Sequence, residues 1–474
     1  MIDLISVIII IVLLLVDYLR HDKNFEHPHE MFSEINLPPG TRGLPIVGET
    51  LQFLRKKGQF FKEKSLLYGQ IYRTHLFGKP TIRITGKENV RKILHGENKI
   101  VKSSYPVSVR KLVGSNGLVM STGLIHDNRR RHLMQFLRHD FINQHVTGLS
   151  EFMMDRFADW SKKSSLNLFV ETKTLITELS ARFLVSSDIN KSVTERLVPL
   201  YEDFINNMFT IPINLPGFGF HKSLNAKTSL KQLFKEALLS SDESPRRFPS
   251  VLEAYGASLD DSTFDEDAFL DAVLELLWNA SETTSSSAFC SVYLLAKHPE
   301  VIKKIQNELI DNAIPSSFSE PLNHKQLQSL KYVDHVVKEV LRLMPPVGGV
   351  YRQVLEEFSV GGYIVPKDWT VICGIRETQE NDQVSDDPLC FNPDRWNVTN
   401  ASNIPFFTFG GGKRVCPGQA FARQILKLFI VELVRNVEWT LLNEDCELVF
   451  FPTPQPKNVM TARFAKLRNS DFQY

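Results

Sequence analysis

The 474-residue chain is 43% hydrophobic and 23% charged, with 55 Lys and Arg against 54 Asp and Glu and a formal net charge of +1. That balance fits a globular protein with a large core, excludes disordered, collagen-like and multi-span membrane classes, and leaves no bulk basicity for nucleic acid. Five Cys, an odd number without C-x-x-C spacing, make neither a disulfide framework nor a zinc site, while 33 Phe supply a large apolar interior.

In chain order, Leu4 to Val16 is an unbroken Ile/Leu/Val-rich run, followed by Asp17, Tyr18 and Leu19. A helix of about 16 residues rises about 24 Å, slightly short of a ~30 Å hydrocarbon core. No small-residue cleavage site follows, and the first cations, Arg20 and Lys23, come after the run. The expectation is a retained single anchor over 1–20 with the body on the cytosolic side. Residues 21–40 read as a polar linker ending in the stiff Leu37-Pro38-Pro39-Gly40 turn, and 41–474 as one large, mainly helical domain. Within it, residues 70–86 hold two strand-like runs broken at Gly78-Lys79-Pro80, the pattern of a hairpin. Most of 130–345 has helical periodicity. Between Ala257 and His298 there is neither Gly nor Pro. Thr263-x-x-Glu266 resembles a capping box and Pro299 closes the end, which predicts one very long helix. Its middle, FLDAVLELLW, is apolar on most sides and so should be buried. Short strands are expected around 357–372, then a Gly-rich loop at 409–418, another helix and a short β-rich tail.

The loop reads Phe409-Gly-Gly-Gly412-Lys-Arg414-Val-Cys416-Pro-Gly418. A lone Cys that ligates iron must be a thiolate, and a helix N-terminus with nearby cations lowers a thiol pKa. Gly412 and Gly418 permit backbone conformations that turn amide N–H groups toward the sulfur. Arg414 is placed to pair with an anionic group of a cofactor, such as a haem propionate, and Phe409 to cover the ligand. Two other readings remain open at this level: a strand–helix turn with a buried Cys acting as a small hydrophobe, and a phosphate cradle, although G-x-x-x-x-G-K-[ST] is not satisfied.

This stretch resembles the haem-binding loop of the cytochrome P450 family. The resemblance implies a mainly α protein with small β-sheets, a single haem domain behind the anchor, and Cys416 as the axial ligand of haem b iron. In the long helix, Thr283 within Asn279-Ala280-Ser281-Glu282-Thr283-Thr284 can bond back to the i−4 carbonyl, loosening the ladder and opening a bay for O₂ and water. The resemblance makes Thr283 the oxygen-handling residue and Glu282 its acidic, proton-relaying neighbour. The family usually has Ala or Gly, then Gly, where this chain has Asn279 and Ala280. Glu339-x-x-Arg342 shares one helix face, and Phe391-Asn-Pro-Asp-Arg395-Trp396 follows in the family's order. Arg395 is then implied to complete a buried network with Glu339 and Arg342 that stabilises the cofactor core. Further implied propionate contacts are His126, Arg130 and Arg352. The run Arg129 to Arg131 is either a solvated basic face or an attractor for an acidic flavoprotein.

Within the family the chain is most similar to the retinoic acid hydroxylases and their clan, which includes sterol and triterpenoid oxidases. The supporting stretches are LPPGTRGLPIVGETLQF (37–53), YRTHLFGKPTIRITG (72–86), SVRKLVG (108–114) and ARF (462–464). Tyr105 stands where the retinoid enzymes tend to have Trp, and Gly348 and Val350 replace Pro and Gly. The implied reaction is RH + O₂ + two electrons and two protons giving ROH + H₂O. The implied substrate is apolar and lipid-like, retinoic acid-like first, with Tyr105, Trp278, Val347 and Val350 as hydrophobic contacts. NADPH electrons would arrive through a separate NADPH–cytochrome P450 reductase, at the endoplasmic reticulum membrane, to a monomer. The alternatives are a sterol or terpenoid hydroxylase of the same clan, a haem-thiolate isomerase that needs no electron donor, and a non-catalytic haem or lipid binder. The Glu282–Thr283 pair argues for the monooxygenase, because an isomerase has no need of a proton relay to O₂.

Overall fold

The computed structural model describes residues 36–467 apart from 46, 115–116, 186–190, 211, 240–265, 316–317, 382–386, 398 and 400. The expected anchor over 1–20, most of the linker and Thr263 lie outside the described residues. Among the described residues no helix is long and apolar enough to cross a membrane. The chain divides into a smaller unit, ending at Ser104 and resumed by Gly349–Glu377, and a larger one formed by Tyr105–Gly348 and the residues from Thr378 on.

The smaller unit opens with α1 (Thr50–Lys56), α2 (Gly58–Tyr68), β1 (Ile71–Leu76), β2 (Lys79–Ile84), α3 (Lys87–His95) and β3 (Val101–Ser103). β1 and β2 form the expected hairpin, but its turn is Phe77-Gly78, with φ of 52° and 74°. Two positive φ values give the turn whose twist suits paired strands, and glycine takes one of them without strain. Lys79 and Pro80 are already strand. Pro80 is tolerated because pairing of β2 with its other neighbour starts only at Thr81.

In the larger unit the chain runs through α4 (Val107–Val113), α5 (Gly123–Phe136), α6 (His139–Trp160), β4 (Leu166–Asn167), α7 (Leu168–Leu184), α8 (Lys191–Asn206), α9 (Gly219–Leu239), α10 (Glu266–Lys297), α11 (Pro299–Asp311), α12 (His324–Ser329) and α13 (Lys331–Leu343). It returns to the smaller unit for β5 (Gly349–Val354), β6 (Phe358–Val360), β7 (Tyr363–Val365) and β8 (Thr370–Gly374). These complete a five-stranded sheet of order β1-β2-β8-β5-β3, antiparallel except for β2 with β8. After α14 (Ile375–Glu380) come α15 (Gln419–Asn436), β9 (Val437–Leu441), the β10–β11 hairpin (Leu448–Phe450, Pro454–Pro456) and β12 (Thr461–Lys466), which pairs with β4 and β9.

Two central helices set the core of the larger unit. α15 is buried at every residue from Ile425 to Asn436. Phe157 and Phe183 meet its Phe429 and Phe421 at centroid separations of 5.5 and 4.4 Å. α10, 32 residues long, is closed from Pro299 onward by the helix break that proline imposes. Its polar second half is buried with hydroxyls that find backbone acceptors: Ser287 and Ser291 donate to the carbonyls four residues back at 2.9 and 2.8 Å, and Ser286 to Pro454 O at 2.6 Å. In the first half one face stays half-open. Ala272, Leu276, Asn279, Ala280 and Thr283, at helical spacing, are half-buried while Val273, Leu274, Glu275, Leu277, Ser281 and Glu282 between them are buried.

Candidate active site

The 409–418 loop is moored before it reaches the cysteine. Gln379, fully buried, donates through Nε2 to Arg342 O at 2.7 Å and accepts the Phe407 amide at 2.7 Å. Thr408 Oγ1 donates to Leu341 O at 2.7 Å. The loop therefore leaves the end of α13 in a fixed direction. Gly410 and Gly412 then take φ of 72° and 62°, and Gly412–Arg414 make one 3₁₀ turn. The turn folds the chain back so that the Cys416 amide donates to Phe409 O at 2.9 Å. Gly418 N-caps α15 at φ −84°, a conformation open to any residue, so the expectation of special backbone freedom holds for Gly412 and not for Gly418. The Gly418 amide hydrogen-bonds the Cys416 sulfur, and a Cβ there would meet Sγ at an ordinary contact distance of 3.9 Å, so space does not require glycine at this position. Burial pushes the Cys416 thiol up, while the Gly418 amide and the charge of Arg130 pull it down.

Glu339 and Arg342, both fully buried on α13, form a bidentate pair at 2.9 Å through each nitrogen. Arg395 Nε reaches Glu339 Oε1 at 2.8 Å. The carboxylate also accepts the Trp396 indole N–H at 3.0 Å and the Asn392 amide at 3.1 Å. The remaining guanidinium hydrogens of Arg342 go to the carbonyls of Gln379, Pro388 and Cys390. A buried ion cluster is tolerated only when every donor and acceptor is met, and here each is. Trp396 and Gln379 carry parts of this mooring that the sequence motifs did not assign.

On the other side of the sulfur, α5 presents His126 and Arg130. His126 is buried, with Nδ1 3.2 Å from Asp127, and burial together with the Arg414 and Arg130 charges lowers its pKa. Burial and the neighbouring Arg414 charge likewise depress Arg130. Arg414 Nη2 donates to Ser121 O at 2.6 Å. These three basic groups sit within electrostatic reach of one another, and Arg130 of Cys416 as well. The donor set fits a haem: a lone half-buried cysteine with an amide donor to its sulfur, beside the mutually repelling Arg130 and Arg414 charges that anionic substituents would relieve. Among the described residues no group of three His, Cys, Asp or Glu could hold a bare metal ion.

On α10, Thr283 lies on the half-open face and donates to Asn279 O at 2.7 Å; the Asn279 side-chain amide donates to Glu275 O at 2.8 Å. Glu282 faces elsewhere. Its buried carboxylate is 3.1 Å from Lys173 Nζ on α7, which also meets Glu202 of α8 at 2.9 Å. Burial raises Glu282, and the Lys173 charge opposes that. The acid and the threonine are thus neighbours in sequence whose side chains diverge, and Lys173 is a partner that no sequence signal announced. Of the expected substrate contacts, Tyr105 and Trp278 are partly buried against the larger unit's core, with Tyr201 donating to Trp278 O, and Val347 is exposed. Val350 and Arg352 lie on β5 of the smaller unit, where Arg352 Nε is 3.3 Å from Glu97.

The cytochrome P450 family pattern matches residues 38–467. The chain is 33% identical to cytochrome P450 26A1 of Danio rerio over 90% of each chain, and 31% identical to cytochrome P450 26B1 of Homo sapiens over 91% of this chain and 87% of that one. Its fold superposes on the structure titled retinoic acid bound cyanobacterial CYP120A1 with a TM-score of 0.84 and 29% identity, covering 92% of this chain and all of that one. Fold, motif order and family match agree on a haem-dependent oxidase. The chain belongs to the cytochrome P450 family. It is a monooxygenase of that family, using haem iron, electrons from a redox partner and a lipophilic substrate.

Proposed function

We propose that this monooxygenase hydroxylates a retinoic acid-like substrate: an elongated apolar molecule ending in a carboxylate. The observation that carries the reading is the likeness, over 92% of the chain, to a structure holding retinoic acid. Haem b, when bound, supplies the activation of O₂ and the oxidation of a C–H bond. Cys416 would hold its iron, and Arg414, Arg130 and His126 its propionates, with Phe409 and Arg423, whose guanidinium lies 5.2 Å from the Phe409 ring, closing the sulfur's side against water. Burial raises the Cys416 thiol and outweighs the Gly418 N–H and Arg130, which offset only part of that rise, so the bound iron would supply the rest of the pull toward thiolate. Thr283 holds a proton at Oγ1 on the half-open face of α10, beside Asn279 and Ala280, given in this structure to Asn279 O, and would keep that proton available on this face. Glu282, Lys173 and the partly exposed Glu202 form a titratable line between that helix and solvent.

Electrons would come from NADPH through cytochrome P450 reductase. A cleft of about 880 Å³ behind Cys416 is lined by Arg130, Arg138, Lys338, Arg423 and Lys427 against only two acids, Asp140 and Asp334. Such a surface suits an acidic donor protein and predicts salt-sensitive association. The apolar run at 4–16 supports residence of a monomer at the endoplasmic reticulum membrane with the body cytosolic.

The test begins with the carbon monoxide difference spectrum of the reduced protein, where a red-shifted Soret band, absent in Cys416→Ala, is expected. All-trans retinoic acid should then shift the Soret band of the ferric protein and be hydroxylated only with NADPH and reductase. Product from sterols but not retinoids would transfer the reading to a sterol hydroxylase. Turnover without an electron donor would replace it with an isomerase.

A further inference from the structure

The segment 117–121 lies between the two halves of the candidate site. At one end Ser121 O accepts from Arg414 of the cysteine loop. At the other, the Val119 amide donates to Glu275 Oε1 at 3.0 Å, with the Leu118 amide beside it. Glu275 stands one turn before Asn279 on α10 and receives that side chain on its own carbonyl. Its second oxygen, Oε2, is buried and takes no hydrogen bond among the described residues. Gly117 is what admits it: a Cβ at 117 would lie 1.8 Å from Oε2. A carboxyl group is therefore buried against a backbone segment, with no lysine or arginine among the described residues closing an ion pair on it.

We propose that Glu275 is a positioning residue operated by its proton: neutral, it packs the 117–121 segment between α10 and the cysteine loop, and ionised, it loosens that segment and hastens ligand exchange. The physical basis is the asymmetry between the packed and loosened arrangements. Burial raises Glu275 from 4.5 to about 7, outweighing the two amides and the more distant Arg129 charge, while Asp271 adds to the rise. A loosened segment lets water reach the carboxyl, which returns it toward its ordinary value. Ionisation therefore favours the loosened form, and the opening equilibrium grows as pH rises from about 4.5 to 7, then levels off. The charged groups around Glu275 are consistent with this. From α5, Arg129 spends Nη1 on Gly117 O at 3.1 Å. On α10, Asp271 is neutralised by Lys227 and Lys231 of α9, both at 2.8 Å.

The test is hydrogen exchange of the 117–121 amides in the full-length holoprotein between pH 5.5 and 8, corrected for the intrinsic pH dependence of exchange. The wild type should lose protection roughly fivefold between pH 6 and 7 and only about twofold more by pH 8. Glu275→Gln should stay protected and flat. Gly117→Ala, which displaces Oε2, should be unprotected and flat, and serves if the first variant folds poorly. A second readout, the dissociation rate of a retinoid from the ferric protein, should follow the same profile; this arm alone rests on the proposed substrate class. An identical pH dependence in Glu275→Gln, which would point to His126, or a flat wild type, would overturn the proposal. Absence of any retinoid spectral shift would instead count against the substrate reading and leave the exchange result standing.

Discussion

Thr283 and Glu282 illustrate how much a single helical step decides. Successive residues are turned by about 100° on a helix, so a buried flank and a half-open face take adjacent side chains. Thr283→Ala removes the Oγ1 proton from the open face. NADPH consumption should continue while product formation falls on the order of 10²-fold, the low end of general acid–base contributions; unchanged product per NADPH would remove the threonine from proton handling. Lys173→Met tests the other flank. It strands Glu282 in a buried position, whereas Glu202 can reach water, so unfolding should become easier by about 3 kcal/mol. Adding Glu282→Gln should restore most of that loss, because the uncompensated charge rather than the missing contact carries the cost. If the double variant is as unstable as the single, Lys173 acts by packing. The motif Glu282-Thr283 was legible in the sequence; its divergence was not, because the partner Lys173 lies more than 100 residues away and in no motif.

At the scale of elements, local signals were the readable ones. The hairpin showed in its two runs and its glycine, the long helix in the absence of Gly and Pro up to Pro299, and α15 in its unbroken apolar periodicity. The turn position of the hairpin was off because Lys79-Pro80 resembles a turn until the late start of β2–β8 pairing is known. What holds the cysteine loop was only half legible. Glu339, Arg342 and Arg395 follow a spacing, but Gln379 is an ordinary polar residue on α14 whose two hydrogen bonds join α13 to Phe407. Gln379→Ala would leave the Arg342 carbonyl and the Phe407 amide without partners in a dry environment. Each such group costs about 1–3 kcal/mol, so a loss of roughly 3 kcal/mol is expected, with weaker haem retention as the loop loosens. The measurement is denaturant unfolding alongside the haem dissociation rate. Loss of stability with unchanged haem retention would assign Gln379 to folding alone. A second buried pair, Glu432 with Arg435 on α15, is built on the same i, i+3 spacing, with Asn436 beside it and Arg435 donating to the carbonyls of Pro315 and Glu320. Glu88 and Arg91 share the spacing yet form only an exposed pair, so E-x-x-R by itself does not mark a buried clamp, and only the loop it serves gives the first pair its meaning.

For the whole molecule, near-neutral net charge conceals a set of buried acids whose proton affinities are raised by desolvation: Glu178, Glu275, Glu282 and Glu432. Three of these have cations against them, Arg156 with Glu178, Lys173 with Glu282 and Arg435 with Glu432, so their ionised forms are partly compensated. Among the described residues Glu275 faces only amides, a distant guanidinium and the paired Asp271, and its titration falls near neutrality. The sign follows from linkage. Its carboxyl titrates at about 7 in the folded protein and near 4.5 when exposed, so between those values the folded state holds a proton that the unfolded state has lost. Stability from this residue is full below pH 4.5, declines as pH rises through the window, and reaches its lowest value above pH 7. A rise of about 2.5 pH units corresponds to about 3 kcal/mol. Glu275→Gln cannot ionise and should therefore gain on the wild type by about that amount between pH 5 and pH 8, read as the difference in denaturant midpoints at the two pH values. Equal pH slopes in the two proteins would mean that the carboxyl is already hydrated in the folded state, and the tight approach of Gly117 to Oε2 would then have to open in solution. Because the comparison is between variants at the same pH, the paired acids and His126 cancel, and the residual slope belongs to Glu275, a carboxyl group buried with no ion pair among the described residues.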